Sequence, residues 1–164
     1  SSGAVSIARR PVSLAASDVV TLISSSFTAV AELLDTAFAP APIAGKTIEF
    51  KFGGSNKTAV TDALGIASVT YQAGVSSGSY QFSATVQQDS VYLASSDTAA
   101  VSVSLRPAVL TAYPKFVFAL DSIQVVADLK DGVTGDYIST QTIIFNYNGV
   151  PQSTTTGASA SCQQ

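Results

Sequence analysis

Gly78-Ser79-Tyr80-Gln81-Phe82-Ser83-Ala84-Thr85-Val86 puts Tyr80, Phe82, Ala84 and Val86 on one face and Gln81, Ser83 and Thr85 on the other. A period of two belongs to a β-strand with one dry and one wet face; a helix repeats every 3.6 residues. The same alternation recurs on both sides of this stretch. Phe27, Ala29, Ala31 and Leu33 enclose Thr28 and Glu32; Ile48, Phe50 and Phe52 enclose Glu49 and Lys51. Ala67, Val69 and Tyr71 alternate with Ser68 and Thr70, and Val101, Val103 and Leu105 with Ser102 and Ser104. Turn signals separate the runs: Gly53-Gly54, Asp62-Ala63-Leu64-Gly65 and Ser76-Ser77-Gly78. Strands of this kind build antiparallel two-layer sheets. The alternation predicts a core containing Ala31, Leu33, Ile48, Phe50, Val69, Tyr80, Phe82, Val101 and Val103.

The chain repeats itself. Arg10-Pro11-Val12-Ser13-Leu14 returns as Arg106-Pro107-Ala108-Val109-Leu110, and Phe27, Ala29, Ala31, Leu33 and Asp35 fall by the same shift on Ile123, Val125, Ala127, Leu129 and Asp131. Thr47-Ile48-Glu49-Phe50-Lys51-Phe52 falls, one residue short of that shift, on Thr142-Ile143-Ile144-Phe145-Asn146-Tyr147. The repeat also settles the one stretch that competes for helix, Thr28–Leu34. Its counterpart Gln124–Leu129 is β-branched and keeps the period of two. About seven short strands in one period is the pattern of an immunoglobulin-like sandwich. The fold class predicted is therefore all-β: an immunoglobulin-like antiparallel β-sandwich in tandem repeats, one complete and one partial. Residues 11–106 form the complete unit. Residues 1–10, where Ala4-Val5-Ser6-Ile7 matches Ala100-Val101-Ser102-Val103, read as the last strand of a preceding repeat or a donor strand. Residues 107–164 read as the first half of a second unit, with counterparts of the early strands and none of Tyr80–Val86 or Val101–Leu105. The chain is expected to be a window of a longer array, or a subunit completed by another strand. At Arg10-Pro11 and Arg106-Pro107 one strand hands over to the next with almost no linker, which predicts stiff junctions.

Composition narrows the function. The chain of 164 residues is 46% hydrophobic and only 12% charged, against roughly 25% charged in ordinary domains. Ser and Thr, 40 residues together, supply the wet surface instead. A net charge of −3 argues against nucleic acid as the main partner. The most apolar stretch, Val12–Leu34, is broken by Asp18, Ser24-Ser25-Ser26 and Glu32, so no membrane insertion is expected. With no His, one Cys and no Ser-x-x-Lys spacing, the usual nucleophile–base pairs are missing; the chain reads as not an enzyme, without a catalytic residue, cofactor or transition metal.

One string carries a family resemblance: Gly45-Lys46-Thr47-Ile48-Glu49-Phe50, then Thr61-Asp62-Ala63-Leu64-Gly65-Ile66-Ala67, Tyr71, Gly78-Ser79-Tyr80, and Asp89, Tyr92, Ser95-Ser96. It resembles the bacterial Ig-like domain repeats of large surface and secreted proteins. The resemblance covers 11–106 and about half a unit beyond, and departs at Thr156-Gly157-Ala158-Ser159, where the Thr-Asp-Ala-x-Gly hairpin is blurred. It implies an extracellular, cell-surface location and a spacer or binding role.

The chemistry-bearing candidates are few. Asn56-Lys57-Thr58 is an N-glycosylation sequon, read as lying in the Gly53-Gly54 turn. That turn, Gly53–Thr58, lacks the glycine before lysine of a phosphate loop. Tyr80 is the candidate tyrosine corner, ring packed inward and hydroxyl on a loop backbone. Phe38, Pro40, Pro42 and Ile43 form an apolar loop that reads as a contact site. Asp121, Asp128, Asp131 and Asp136, with Glu32, Asp35 and Asp62, serve turns and wet faces or offer Ca²⁺ a site. Cys162 is either an exposed cross-linking thiol or an inward strand residue. Arg9, Arg10 and Arg106 are expected to bond neighbouring-domain loops. Together these predict a structural segment of a filament, stalk or surface coat, assembling end to end through β-strand contacts with copies of itself or neighbouring repeats. The alternative is an adhesin or carbohydrate-binding module that takes glycans at its loop tips.

Overall fold

The computed structural model describes residues 7–74, 76–113, 125–157 and 161–163. The chain divides into two compact units, Ser1–Leu105 and Arg106–Gln164. Among the described residues every regular element is a strand, and no helix is long and apolar enough to cross a membrane.

The first unit contains β1 (Val12–Ala16), β2 (Val19–Leu22), β3 (Ser26–Asp35), β4 (Ala41–Pro42), β5 (Thr47–Phe52), β6 (Ser55–Val60), β7 (Ile66–Gln72), β8 (Gly78–Val86) and β9 (Ser95–Ser104). One sheet is centred on β3, which pairs antiparallel with β1, β4 and β7. The other runs β2-β9-β8-β5-β6. Its pairings are antiparallel except the first: β2 runs parallel to β9, Val19 opposite Val101 and Leu22 opposite Ser104. The sandwich is antiparallel-rich, as expected, with this one parallel pair. The chain leaves the β3 sheet after Ala16 and joins the other sheet without reversing direction, so it lies parallel to the strand it meets. Two carboxylates staple that crossing. Asp97 Oδ2 accepts from Ala16 N at 2.8 Å and Asp18 Oδ1 from Ala100 N at 2.7 Å.

The layers close over an apolar core. Ala31, Leu33, Ile48, Phe50, Phe82, Val101 and Val103 are buried, as their alternation requires. Phe50 and Phe82 lie 6.3 Å apart at their centroids, with Ala29, Ala31 and Ala84 in the same cluster. Bulky rings set beside alanines fill such an interior without leaving voids. Val69 is half-buried and packs on the cluster. Tyr80 departs from expectation: it is 38% exposed. It keeps the phase of Phe82, but Gly78–Gln81 are all exposed, so this end of β8 projects beyond the covered part of the sandwich. Ile7–Arg9 are in no strand, and residues 1–6 lie outside the described chain. Arg10 makes an isolated parallel bridge with Tyr92.

Gly65 ends the turn before β7. Its φ is +76°, and a Cβ there would stand 2.5 Å from the Leu33 carbonyl oxygen. The Gly65 carbonyl meanwhile accepts from Leu33 N at 2.8 Å. Glycine is required both by the left-handed backbone and by the closeness of β3.

The second unit contains β10 (Ala108–Tyr113), β11 (Val126–Asp131), β12 (Thr142–Tyr147), β13 (Val150–Thr155) and β14 (Ser161–Gln163). It repeats the first at the level of single bonds. β10 pairs with β11 as β1 does with β3, with Ala108 opposite Asp131 where Val12 is opposite Asp35. β12 and β13 reproduce the β5–β6 hairpin, with Ile143 opposite Thr154 where Ile48 is opposite Ala59. β14 pairs with β11 as β7 with β3: Ala127 faces Cys162 where Ala31 faces Ala67. The backbone therefore puts Cys162 at the register position of Ala67. Beside this likeness stands one difference. β5 has β8 on one side and β6 on the other, whereas β12 has only β13 among the described residues.

Candidate functional site

Each unit opens on a clasp. Arg10 Nε lies 2.5 Å from Asp35 Oδ2, and Thr36 N donates to the Pro11 carbonyl at 3.0 Å. In the second unit Arg106 Nε lies 2.6 Å from Asp131 Oδ2, and Gly132 N donates to the Pro107 carbonyl at 2.7 Å. The other oxygen of each carboxylate caps the following loop, from Ala37 N at 2.9 Å and Val133 N at 2.8 Å. These donors hold both acids below the usual carboxylate range: Asp35 through the Ala37 amide and then Arg10, and Asp131, at about 2, through Arg106 first. Arg10 and Arg106 thus each bind an aspartate of the repeat that begins at the proline following them. Arg9 reaches Gln88 Oε1 at 3.3 Å.

A second clamp joins the start of the β5 hairpin to its end. Lys46 N donates to Thr61 Oγ1 at 2.9 Å and Thr61 N to the Lys46 carbonyl at 2.9 Å. Gln141 and Thr156 repeat both bonds at 2.9 and 2.8 Å. Thr61 and Thr156 are both buried. Thr156 therefore keeps its role although the hairpin after it is blurred in sequence. Asp62 Oδ1 caps its own turn, accepting from Leu64 N and Ile66 N at 2.8 and 2.9 Å. Asp89 accepts from Val91 N and Tyr92 N, both at 2.7 Å, and pairs with Lys46. Lys46, then those amides, lower it to about 2. The Asp-x-x-Tyr-x-x-Ser loop is thus a self-capped turn tied to the β5 strand.

The carboxylates considered for Ca²⁺ are largely engaged by the chain's own donors. Asp128 Oδ2 accepts from the Tyr113 hydroxyl at 2.7 Å, and Asp121 lies outside the described residues. No three potential ligands gather for a metal among the described residues.

The apolar loop divides. Phe38 is 86% exposed, with the Arg10 guanidinium 5.5 Å from its ring centroid, and Pro40 and Pro42 are exposed too. Ile43 is buried and leaves the contact set. Its amide donates to the Leu33 carbonyl at 3.0 Å, and β4 beside the end of β3 draws the side chain into the core. Asn56 is exposed, but on strand β6 opposite Lys51 rather than in the turn. The Gly53-Gly54 pair makes the turn alone.

Tyr80 donates its hydroxyl to the Ser76 carbonyl at 3.1 Å, and its ring meets Phe52 edge-on at 6.4 Å. The buried tyrosine with a backbone partner is Tyr71, whose hydroxyl donates to the Phe50 carbonyl at 2.8 Å. The inward phase of Ala67, Val69 and Tyr71 already carried the signal, because a buried phenol needs an acceptor. Sequence reading also missed the concavity these rings line, of about 560 Å³, with Lys57, Gln72 and Gln81 around it.

No family model matches the chain, and no curated protein matches it. Solved structures do. The fibronectin(III)-like modules of Clostridium thermocellum CbhA share 13% identity, cover 93% of this chain and 78% of that one, at a TM-score of 0.42. The Yersinia pseudotuberculosis adhesin InvE shares 16%, covering 92% and 49%, at 0.44. A 1.5-MDa bacterial ice-binding adhesin shares 18%, covering 94% and 53%, at 0.41. The chain spans about half the length of those two adhesin structures. The all-β sandwich described above rests on the strand pairings themselves.

Proposed function

We propose that the chain is a structural, non-catalytic segment of an extracellular, cell-surface assembly, a stalk, filament or coat of Ig-like repeats that join end to end through β-strand contacts. The observation that carries this reading is the edge of β12. In the first unit the same edge of β5 takes β8, with Ile48 opposite Val86 and Phe50 opposite Ala84. In the second unit Ile143 and Phe145 occupy those positions with no strand beside them among the described residues. An open edge is a template for another strand. Leu14 is buried, whereas its counterpart Leu110 is 55% exposed, and β8 and β9 are the strands that pack on β1. The partner expected is therefore a strand of the β8 type from a neighbouring repeat or another copy.

Sedimentation of the chain over a range of concentrations tests this. Concentration-dependent association is expected, weakened by Ile144→Lys, because a lysine on an exposed edge strand discourages pairing. A species that stays monomeric throughout, with fully protected β12 amides, would refute the proposal. The exposed Phe38 favours a second reading, glycan or protein contact at that loop tip; loss of surface binding in Phe38→Ala would identify it.

A further inference from the structure

The concavity beside Tyr80 lies at the end of the sandwich away from Phe38. Phe38 follows the last residue of β3, whereas Phe27, near its first, meets Phe52 edge-on at 4.9 Å between centroids. At about 560 Å³ it falls within the roughly 300–1,000 Å³ usual for small-molecule sites. Three rings line it: Phe52, Tyr71 and Tyr80. Phe52 and Tyr71 stand 5.6 Å apart, and Phe52 and Tyr80 6.4 Å. The Tyr71 hydroxyl is committed to the Phe50 carbonyl and the Tyr80 hydroxyl proton to Ser76, so both rings are fixed in place. Gln72 is tied likewise, its Nε2 donating to the Ser24 carbonyl at 2.7 Å, which leaves its carbonyl oxygen as an acceptor.

The charge of this site is one-signed. Lys57 is its cation, and no Asp or Glu among the described residues lines it. Lys57 stands opposite Phe50 in the hairpin, an inward register position on the edge strand β6. Its ammonium stands over the Tyr71 ring, 5.0 Å from the centroid, and donates to the Thr70 carbonyl. It forms no ion pair among the described residues, unlike Lys46, Lys51, Arg10 and Arg106. An ammonium has three donors, so capacity remains after Thr70. Another concavity, about 450 Å³, contains Lys46 and Asp89, which neutralise each other.

We propose that the Phe52–Tyr71–Tyr80 concavity binds an acidic pyranose, a uronic-acid unit of a polysaccharide. The C–H face of the sugar ring lies on the aromatic walls, its carboxylate meets Lys57, and the side chains of Gln72 and Gln81 take its hydroxyls. The site shares no residue with the β12 edge or the Phe38 loop. A bare gatekeeper role, an inward lysine that keeps β6 from pairing, predicts no ligand at all.

The experiment is an amide-resolved NMR titration of the chain with a glucuronic-acid disaccharide and with the corresponding neutral glucose disaccharide. The acidic sugar is expected to shift Phe52, Lys57, Tyr71 and Tyr80 at millimolar concentrations. Its affinity is expected to fall at least about tenfold in Lys57→Gln and in Tyr80→Ala and to weaken with salt, the neutral sugar binding less and ignoring Lys57→Gln. Thermal melts establish that both variants fold, and Phe38→Ala is expected to leave the titration unchanged. Absence of shifts at these residues, equal binding of both sugars, or an affinity that Lys57→Gln does not change would overturn the proposal. Sedimentation of the parent reads strand assembly separately, so either proposal can fail alone.

Discussion

Asp89 illustrates how one side chain carries a recurring string of sequence. A single carboxylate caps two loop amides and pairs with Lys46, and Lys46 in turn lies 5.0 Å from the Tyr92 ring centroid. An ionised carboxylate suits this place because one oxygen accepts both amides while the other meets the ammonium. Its folded value, about 2, lies below the ordinary 3.8. A depressed acid stabilises the fold above its unfolded value and loses that contribution as pH falls through the folded one. The melting-temperature gap between the parent and Asp89→Asn is therefore expected to be full above pH 3.8 and to shrink as pH falls toward about 2. A gap that stays constant over that range would show that the loop is held by shape alone.

Among the elements, those with the strongest period were legible and those with interrupted pattern were not. β3, β5, β7, β8 and β9 follow from alternation, and β12 from the repeat of Thr47–Phe52. β13 went unread because Val150-Pro151-Gln152-Ser153-Thr154-Thr155 has no apolar alternation and contains a proline; only its pairing with β12 defines it. β6, which contains Asn56, looked like turn because glycine and polar residues crowd around it, yet the turn needs only Gly53-Gly54. Burial failed where an element outruns its cover, as at Tyr80, or where a short pairing pulls a loop inward, as at Ile43. The concave site was illegible for a related reason: Phe52, Lys57, Tyr71 and Tyr80 come from four strands, and no local spacing announces them. The Gly65 turn allows a clean test of element geometry. Gly54, at φ +80°, has no atom within 4 Å of where a Cβ would stand, whereas Gly65 meets the Leu33 oxygen at 2.5 Å. Both alanine variants incur left-handed strain of about 1–3 kcal/mol. Gly65→Ala is expected to lose at least about 1 kcal/mol more in urea unfolding, because an alanine Cβ must displace β3 or break its bond to Leu33. Equal losses would mean that the turn moves freely away from β3.

For the chain as a whole, the informative contrast is between two copies of one register with different cover. β5 sits between β8 and β6, and Ile48 and Phe50 are fully buried. β12 has β13 alone among the described residues; Ile143 is buried, but Phe145 is only half-buried. In the same unit Leu110, Tyr113 and Val109 of β10 are exposed. Amide exchange reports opening free energy, and each roughly 1.4 kcal/mol of lost protection is a tenfold faster rate. At dilution, Thr142–Tyr147 amides are expected to exchange at least about a hundredfold faster than Thr47–Phe52 amides, position for position. If neighbouring strands fill the edge, that protection must rise with protein concentration, since an occupant that binds only the folded edge stabilises it by mass action. The β5 amides, already paired on both sides, should show no such dependence. Hydrogen-exchange mass spectrometry at two concentrations reads both quantities at once. Equal protection of the two strands at dilution would mean that β12 needs no partner. Fast exchange that ignores concentration would mean that its open edge accepts none from another copy.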